Sequence, residues 1–277
     1  MLKVTHNAGF FSCCSVRLQE IIAYFNKHKQ LPVVDSSQQF AFYKPVHHVS
    51  DITHVFFEPC GVSVDSTGPV SITPDGSEDQ FSNYKHLNYH QIQPFVQRYF
   101  SLSPRVKTVV SELEAKYALD YSRICVVYYR GLGKKIETNL ASYHEFVGKA
   151  RDVMKEKPDT IFLVQSDETE FVQMMCERFE NTIVFKEIHH VSNLVTVSNS
   201  EDVLPMNDRI RHAIIFLAIV NIMSKARNVI CYSGNCSLWI ALFRGHADGF
   251  HQYLKPRETI YGISNPAYNP HQMVFWV

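Results

Sequence analysis

From Ile124 onward, short apolar runs alternate with amphipathic stretches. Ile124–Tyr129, Thr160–Val164, Thr182–Phe185 and Asn228–Tyr232 have strand length. Between and after them, Ala141–Lys155, Glu168–Phe179, Asn207–Lys225 and Ser237–Arg244 carry apolar residues at helical spacing. Runs that are apolar throughout suit strands buried on both faces, so this alternation predicts a parallel sheet flanked by helices. Met273–Trp276 is expected to be a further strand.

The pattern upstream is less regular. Leu2–Thr5 reads as a strand, and His6-Asn7-Ala8-Gly9 breaks it. Ser12 is placed to cap a helix reaching about Lys29, with Val16, Leu18, Ile21, Ile22 and Phe25 inward. Val33-Val34-Asp35 and Phe40–Tyr43 are apolar pieces, and His54–Phe57 is a strand candidate. Residues 59–80 are rich in Gly, Pro, Ser, Thr and Asp and read as a long loop, a feature that usually carries function or disorder. Ile92–Phe100 and Pro104–Tyr117 read as helices, the second with Ser103 as cap and a proline at its first position. The change of pattern places a domain boundary near residues 101–105, giving an expected first domain over 1–102 and a second over 103–277.

Composition narrows the function classes. The 277 residues carry 27 basic and 27 acidic side chains, so bulk attraction to nucleic acid or to an anionic membrane is not expected. Seven cysteines, several inside apolar runs and none in a C-x-x-C pair, read as reduced core thiols and predict a cytoplasmic protein without a zinc framework. The longest apolar stretch, about Ala213–Met223, is interrupted by Asn221 and too short to span a bilayer, so no membrane insertion is expected. Asn235-Cys236-Ser237 is the only N-x-[ST] sequon and reads as structural or functional, since it follows an apolar strand.

Candidate chemistry gathers where the predicted strands end. In open parallel sheets, ligands bind beyond the carboxyl ends of the strands. Three loops lie there: Arg130-Gly131 through Lys134 and Glu137 to Thr138; Gln165-Ser166-Asp167-Glu168; and Ser233-Gly234-Asn235-Cys236-Ser237. A Ser/Gly turn opening a helix presents unpaired N–H groups and a positive dipole end to an anion. Arg130 suits a bidentate phosphate contact and Lys134 adds a point charge, so a diphosphate between two loop tips is one expectation. The alternative is ordinary loop structure, with Asp167 as a helix cap and Arg130 paired to a carboxylate. In the first half, Gly9 reads as a close backbone approach. Arg17 is either a site residue or a solvated cation, and Phe10 joins Gly9 as a cleft candidate. His6, Glu78 and Asp79 could face the same cleft.

These stretches carry a resemblance. "VYYRG" with the Lys, Glu, Thr and Tyr after it, "IFLVQSDETEF" and "ICYSGNCSLWIALFRG" resemble the fucosyltransferase-type branch of the GT-B glycosyltransferases. With "NAGFFSCCSVRL" near the start, the chain is also similar to short glycosyltransferases of large algal viruses and some bacteria. The resemblance implies two Rossmann-like lobes with a cleft between them, the first binding a glycan or glycoprotein acceptor and the second a nucleotide sugar. It implies that Arg130 and the Ser233–Ser237 turn contact the donor diphosphate, and that Glu137 serves as base; Asp79, in the long polar loop of the first half, is the rival on position. It also implies inversion without a metal or other cofactor, which agrees with the lack of a D-x-D triplet. The viral likeness favours xylose from UDP-xylose, with fucose from GDP-fucose as alternative. At Leu132-Gly133 the chain departs from the pattern, where a polar pair ending in Asp is expected. A non-catalytic nucleotide-sugar or glycan binder on the same scaffold is a second hypothesis. A Rossmann oxidoreductase or methyltransferase is a weaker third, because no G-x-G-x-x-G follows the first strand.

Overall fold

The computed structural model describes residues 1–45, 48–64, 68–72, 79–134, 137–194, 203–254, 258–260, 263–264 and 275–277. Glu78 and the Met273-Val274 part of the expected last strand lie outside them.

The first half contains β1 (Leu2–Lys3), α1 (Phe10–His28), β2 (Val34–Asp35), a single helical turn α2 (Thr53–Phe56) and α3 (Tyr89–Phe100). α4 (Pro104–Tyr117) leads into the second half: β3 (Ile124–Tyr129), α5 (Tyr143–Glu156), β4 (Ile161–Ser166), α6 (Thr169–Arg178), β5 (Thr182–Val184), α7 (Met206–Ser224), β6 (Asn228–Tyr232), α8 (Asn235–Arg244) and β7 (Phe250–Tyr253). β3 to β7 form one parallel sheet in the order β5-β4-β3-β6-β7. The chain adds strands outward from β3 on one side, then crosses to β6 on the other. The crevice between the carboxyl ends of β3 and β6 is therefore the topological switch point.

Side-chain alternation splits the core into two layers. On one face, Val126, Tyr128, Leu163, Val229 and Cys231 pack with α1, α3, α4, α7 and α8. On the other, Cys125, Val127, Tyr129, Phe162, Val164 and Ile230 pack with Phe146, Val147, Ala150, Phe171 and Met175 of α5 and α6. Capping fixes the helix starts. The Ser103 hydroxyl accepts from Val106 N before the N-terminal proline of α4, and Ser142 with Glu145 forms a reciprocal capping box on α5.

Among the described residues, the strands of the first half form a two-stranded parallel sheet, with Leu2 opposite Val34 and Lys3 opposite Asp35. Its apolar residues belong to the same core layer as α8. Trp239 of α8 is fully buried; its ring lies 4.6 Å from Phe100 and 6.3 Å from Phe11, and its N–H donates to Ser15 Oγ at 3.1 Å.

Several local expectations change. His54–Phe57 is not a strand: Thr53–Phe56 coil into a turn whose first N–H groups are held by Asp51 and Ile52, and only Phe57 makes an isolated bridge, to Leu102. Phe40–Tyr43 is a 3₁₀ turn over Ala41–Tyr43. α1 starts at Phe10 rather than after Ser12, and Ser12 Oγ instead pairs with the His6 ring. β7 has no clear signal in the sequence: its four residues, "FHQY", place two polar side chains in a row between two aromatics and follow neither an apolar run nor an alternation. Trp276 makes an antiparallel bridge to Tyr253, and Gln252 N donates to Val277 O.

Candidate functional site: an anion cradle at the sheet's carboxyl edge

β3 delivers Arg130 and Gly131 to the switch point. β4 delivers Asp167 and Glu168 beside them, and β6 delivers Ser233 and Gly234 at the start of α8. Two glycines shape this turn. A Cβ on Gly131 would sit 1.9 Å from the Glu168 carboxyl carbon, so a larger residue there would push that flexible side chain off its present position. Gly133 has φ +67°, a left-handed turn that folds Leu132 inward and brings Lys134 back toward the sheet. The Leu132-Gly133 pair is thus a buried residue followed by a turn.

Asp167 is the electrostatic centre of the β3–β4 side. Its Oδ1 accepts from Gly131 N at 2.8 Å, and Oδ2 lies 3.8 Å from Arg130 Nε. Burial raises its pKa to about 6, opposed by Arg130 and the Gly131 N–H. It does not cap α6; Glu168 occupies that position, and its N–H donates to Ser166 Oγ. The Glu168 carboxylate accepts from Tyr143 OH at 2.6 Å. Arg130 retains 36% side-chain exposure, and its ion pair is long. Its guanidinium therefore reaches the crevice surface while Asp167 steers it.

On the α8 side, the N–H groups of Asn235, Cys236 and Ser237 have no intrahelical acceptor, as in the first turn of any helix. Three side chains of this turn face inward. Ser233 Oγ accepts from Gln252 Nε2 at 2.8 Å, the Ser237 hydroxyl hydrogen-bonds the buried Cys231 thiol, and Cys236 contacts the Tyr128 hydroxyl. Only Asn235 is partly exposed, so the turn offers the crevice backbone N–H groups rather than hydroxyls.

Lys134 ties the two sides together. It is 6% exposed, its stem lies against Gly234, and its ammonium pairs with the Glu137 carboxylate. Gln80 Oε1 accepts from Lys134 Nζ at 3.0 Å and from Asn235 Nδ2 at 3.1 Å. Tyr84 OH accepts from Gly234 N at 3.0 Å. Gln252 joins Ser82, Tyr84 and Ser233 in one buried network.

The sequence-derived residues fall into two groups. Arg130, Gly131, Lys134, Glu137, Asp167, Gly234 and Asn235 converge on the crevice. Gln165 is buried, with its amide donating to Ser166 O. In the first half, Phe10 is a core residue packed among Phe11, Phe40, Tyr43, Phe56 and Phe57 rather than a cleft surface. Arg17 is a buried structural cation: Nε donates to Ser36 Oγ, Nη1 to Tyr99 O, and the guanidinium lies over Phe100. Gly9 makes no close approach; a Cβ there would meet open space, and its φ of −56° suits any residue. His6 is half-buried against Ser12, and burial lowers its pKa. Asp79 opens the 3₁₀ turn Asp79–Phe81, next to Gln80. Gln80, Tyr84 and Gln252 carry no functional signal in the sequence, whereas Glu168 lies in one of the strand-end loops. Gln80 and Tyr84 sit among loop-like residues, and only the fold carries them to α8.

No family model matches the sequence, and comparison with curated proteins finds no similar one. Solved structures do match. The α-1,6-fucosyltransferase NodZ soaked with GDP-fucose is similar over 87% of this chain and 92% of its own, at 10% identity and TM-score 0.55. The same enzyme co-crystallised with GDP gives TM-score 0.57 at the same identity and coverage. NodZ from Bradyrhizobium gives 0.56, covering 87% of this chain and 93% of its own, at 10% identity. Together with the parallel sheet and its flanking helices, these matches show that the chain shares the GT-B-type fold of NodZ.

Proposed function

We propose that the chain is a glycosyltransferase that binds a nucleoside diphosphate sugar at the β3/β6 crevice and transfers the sugar to a hydroxyl of a glycan acceptor. The observation that carries this reading is the convergence of Arg130, Lys134 and the amino end of α8 at the switch point of a GT-B-type fold. The donor we favour is GDP-fucose rather than UDP-xylose, because NodZ was soaked with GDP-fucose and shares the fold.

In this reading, Arg130, Lys134 and the α8 N–H groups neutralise the charge that develops on the leaving diphosphate. Fixed charges and dipoles of this kind usually lower the barrier more than any other single effect. That electrostatic work is done by protein cations, so we assign the transfer no metal. Glu137 takes the proton of the acceptor hydroxyl, giving single displacement with inversion. Its pair with Lys134 fixes its position. Asp79 is the rival base. Asp167 and Glu168, at the end of the adjacent strand, are placed to accept from sugar or ribose hydroxyls.

The test is a melting-temperature screen with GDP, UDP, GDP-fucose and UDP-xylose, followed by nucleotide-release assays with and without glycan acceptors. A donor at about a hundred times its Kd stabilises by roughly 2.7 kcal/mol. Stabilisation by GDP-fucose with acceptor-dependent, EDTA-resistant release of GDP is expected. A Glu137→Gln variant should lose about 10²–10⁴-fold in kcat with donor affinity kept. Binding without any release would make the chain a nucleotide-sugar binder, and stabilisation by none of the four compounds would end the proposal.

A further inference from the structure

We propose that Gln80, contributed by the first half of the chain, is a positioning residue of the anion cradle. It bridges Lys134 and Asn235 through one neutral oxygen and so aims both at a bound diphosphate. The inference rests on the nucleotide reading above and extends it to a residue outside the second half.

Two donors from separate loops meet on Gln80 Oε1, at 3.0 Å from Lys134 Nζ and 3.1 Å from Asn235 Nδ2. The segment bearing Gln80 is anchored. Tyr84, fully buried four residues on, donates to Gln80 O at 2.9 Å, accepts from Gly234 N and receives the Tyr89 hydroxyl on its own carbonyl. Its backbone N–H donates to Gln252 Oε1. Gln80 is thus held against α8 by contacts that do not depend on its side chain. The amide oxygen orders the Lys134 ammonium, also 5.4 Å from the Phe81 ring, without adding a negative charge. Glu137, Asp167 and Glu168 already bring three carboxylates to this crevice. A fourth at residue 80 would oppose the anion that Arg130, Lys134 and the α8 N–H groups are arranged to receive. The near-isosteric Gln80→Glu change keeps an acceptor oxygen and the side chain's shape while replacing the NH2 with a charged oxygen, so the part of its effect that salt relieves reports anion recognition rather than packing.

The experiment titrates GDP, UDP and inorganic pyrophosphate by calorimetry into wild type, Gln80→Glu and Gln80→Leu, at low and high salt, with melting temperatures measured alongside. Gln80→Glu should weaken the diphosphates that wild type binds by tenfold or more at low salt, with the loss shrinking as salt rises. Gln80→Leu should weaken them less, in a way salt does not relieve. Both variants should melt within a few degrees of wild type. Unchanged affinity in both variants would overturn the role of Gln80 while leaving the nucleotide reading intact. Failure of wild type to bind any of the three probes would instead remove the nucleotide reading, and this role with it.

Discussion

The two halves of the chain bury apolar surface by different means. From Ile124 to Tyr253, five parallel strands present alternate side chains to two helical layers, and the ends of β3, β4 and β6 bring their loops to one crevice. From Leu2 to Phe100, a two-stranded sheet cannot do this. Its place is taken by an aromatic cluster of Phe10, Phe40, Tyr43, Phe56 and Phe57, and by α1 and α3 lying on α8. The regular half carries the charged groups that gather at the crevice. The irregular half turns its own candidate cation, Arg17, inward and supplies neutral groups, Gln80 and Tyr84, to the regular half's loops. A chain can therefore assemble a site from one well-formed sheet and complete it with a segment that has almost no regular structure.

The largest test of that contrast is Trp239→Ala. Trp239 is where the two halves share one core, and truncating a fully buried tryptophan typically costs 3–5 kcal/mol. If the halves depend on each other, the variant melts in one transition, shifted well down. Two separated transitions, with only the earlier one moved, would show that the first half folds on its own terms.

Sequence reading is most complete where the physics is most local. β3, β4, β5 and β6 lie within a residue or two of where uniformly apolar runs put them, and the Ser103-Pro104 and Ser142–Glu145 caps are written in adjacent residues. Arg130, Lys134, Asp167 and Gly234 are legible because strand carboxyl ends are where open sheets place ligands. The reading fails where tertiary contacts outweigh pattern. Thr53–Phe56 has β-branched and aromatic residues, but Asp51 seeds a helical turn by accepting from Thr53 N. Arg17 lies on the buried side of α1, and a cation in that position gives no sign of whether it meets a ligand or a backbone carbonyl. Gln80 and Tyr84 acquire meaning only through partners about 54 to 155 positions away, which no local spacing encodes.

Asp167 sharpens the comparison through pH. An unfolded aspartate titrates near about 3.9, whereas burial holds this one at about 6 in the folded state. Between those values the native protein keeps a proton that the unfolded chain has lost, so stability falls as pH rises from about 4 to about 6 and then levels. The whole effect is at most about 3 kcal/mol. Asp167→Asn, which preserves an acceptor for Gly131 N, should flatten this dependence and melt higher relative to wild type at pH 7 than at pH 4. An equal difference at both pH values would show that Asp167 is not held protonated by its surroundings.

Arg130→Ala asks whether the regular half's charge serves ligand or fold. Its ion pair with Asp167 is 3.8 Å long and the side chain is one-third exposed, so the pair contributes little to stability. A charge-assisted bond to phosphate contributes roughly 1.5–3 kcal/mol, which corresponds to about a ten- to hundredfold loss in nucleotide affinity. The melting temperature without ligand should move by no more than a few degrees. Donor affinity equal to wild type would remove Arg130 from the site and leave its pairing with Asp167 as its main role.

The smallest expected effect tests the irregular half's contribution alone. Tyr84→Phe keeps the ring that packs against Phe250 at 6.1 Å and removes only the hydroxyl. That hydroxyl accepts from Gly234 N and bonds the Gln80 and Gly234 carbonyl oxygens. Gly234 is buried, so its N–H loses its partner, at a cost of about 1–2 kcal/mol. Because Tyr84 anchors the segment bearing Gln80, amide exchange should quicken at Gly234 and at residues 80–84 while α5 and α6, on the opposite face of the sheet, stay as protected as in wild type. Exchange that quickens equally in α5 and α6 would mean the loss is global, and that residues 80–84 are part of the common core rather than a separate strap laid across the crevice.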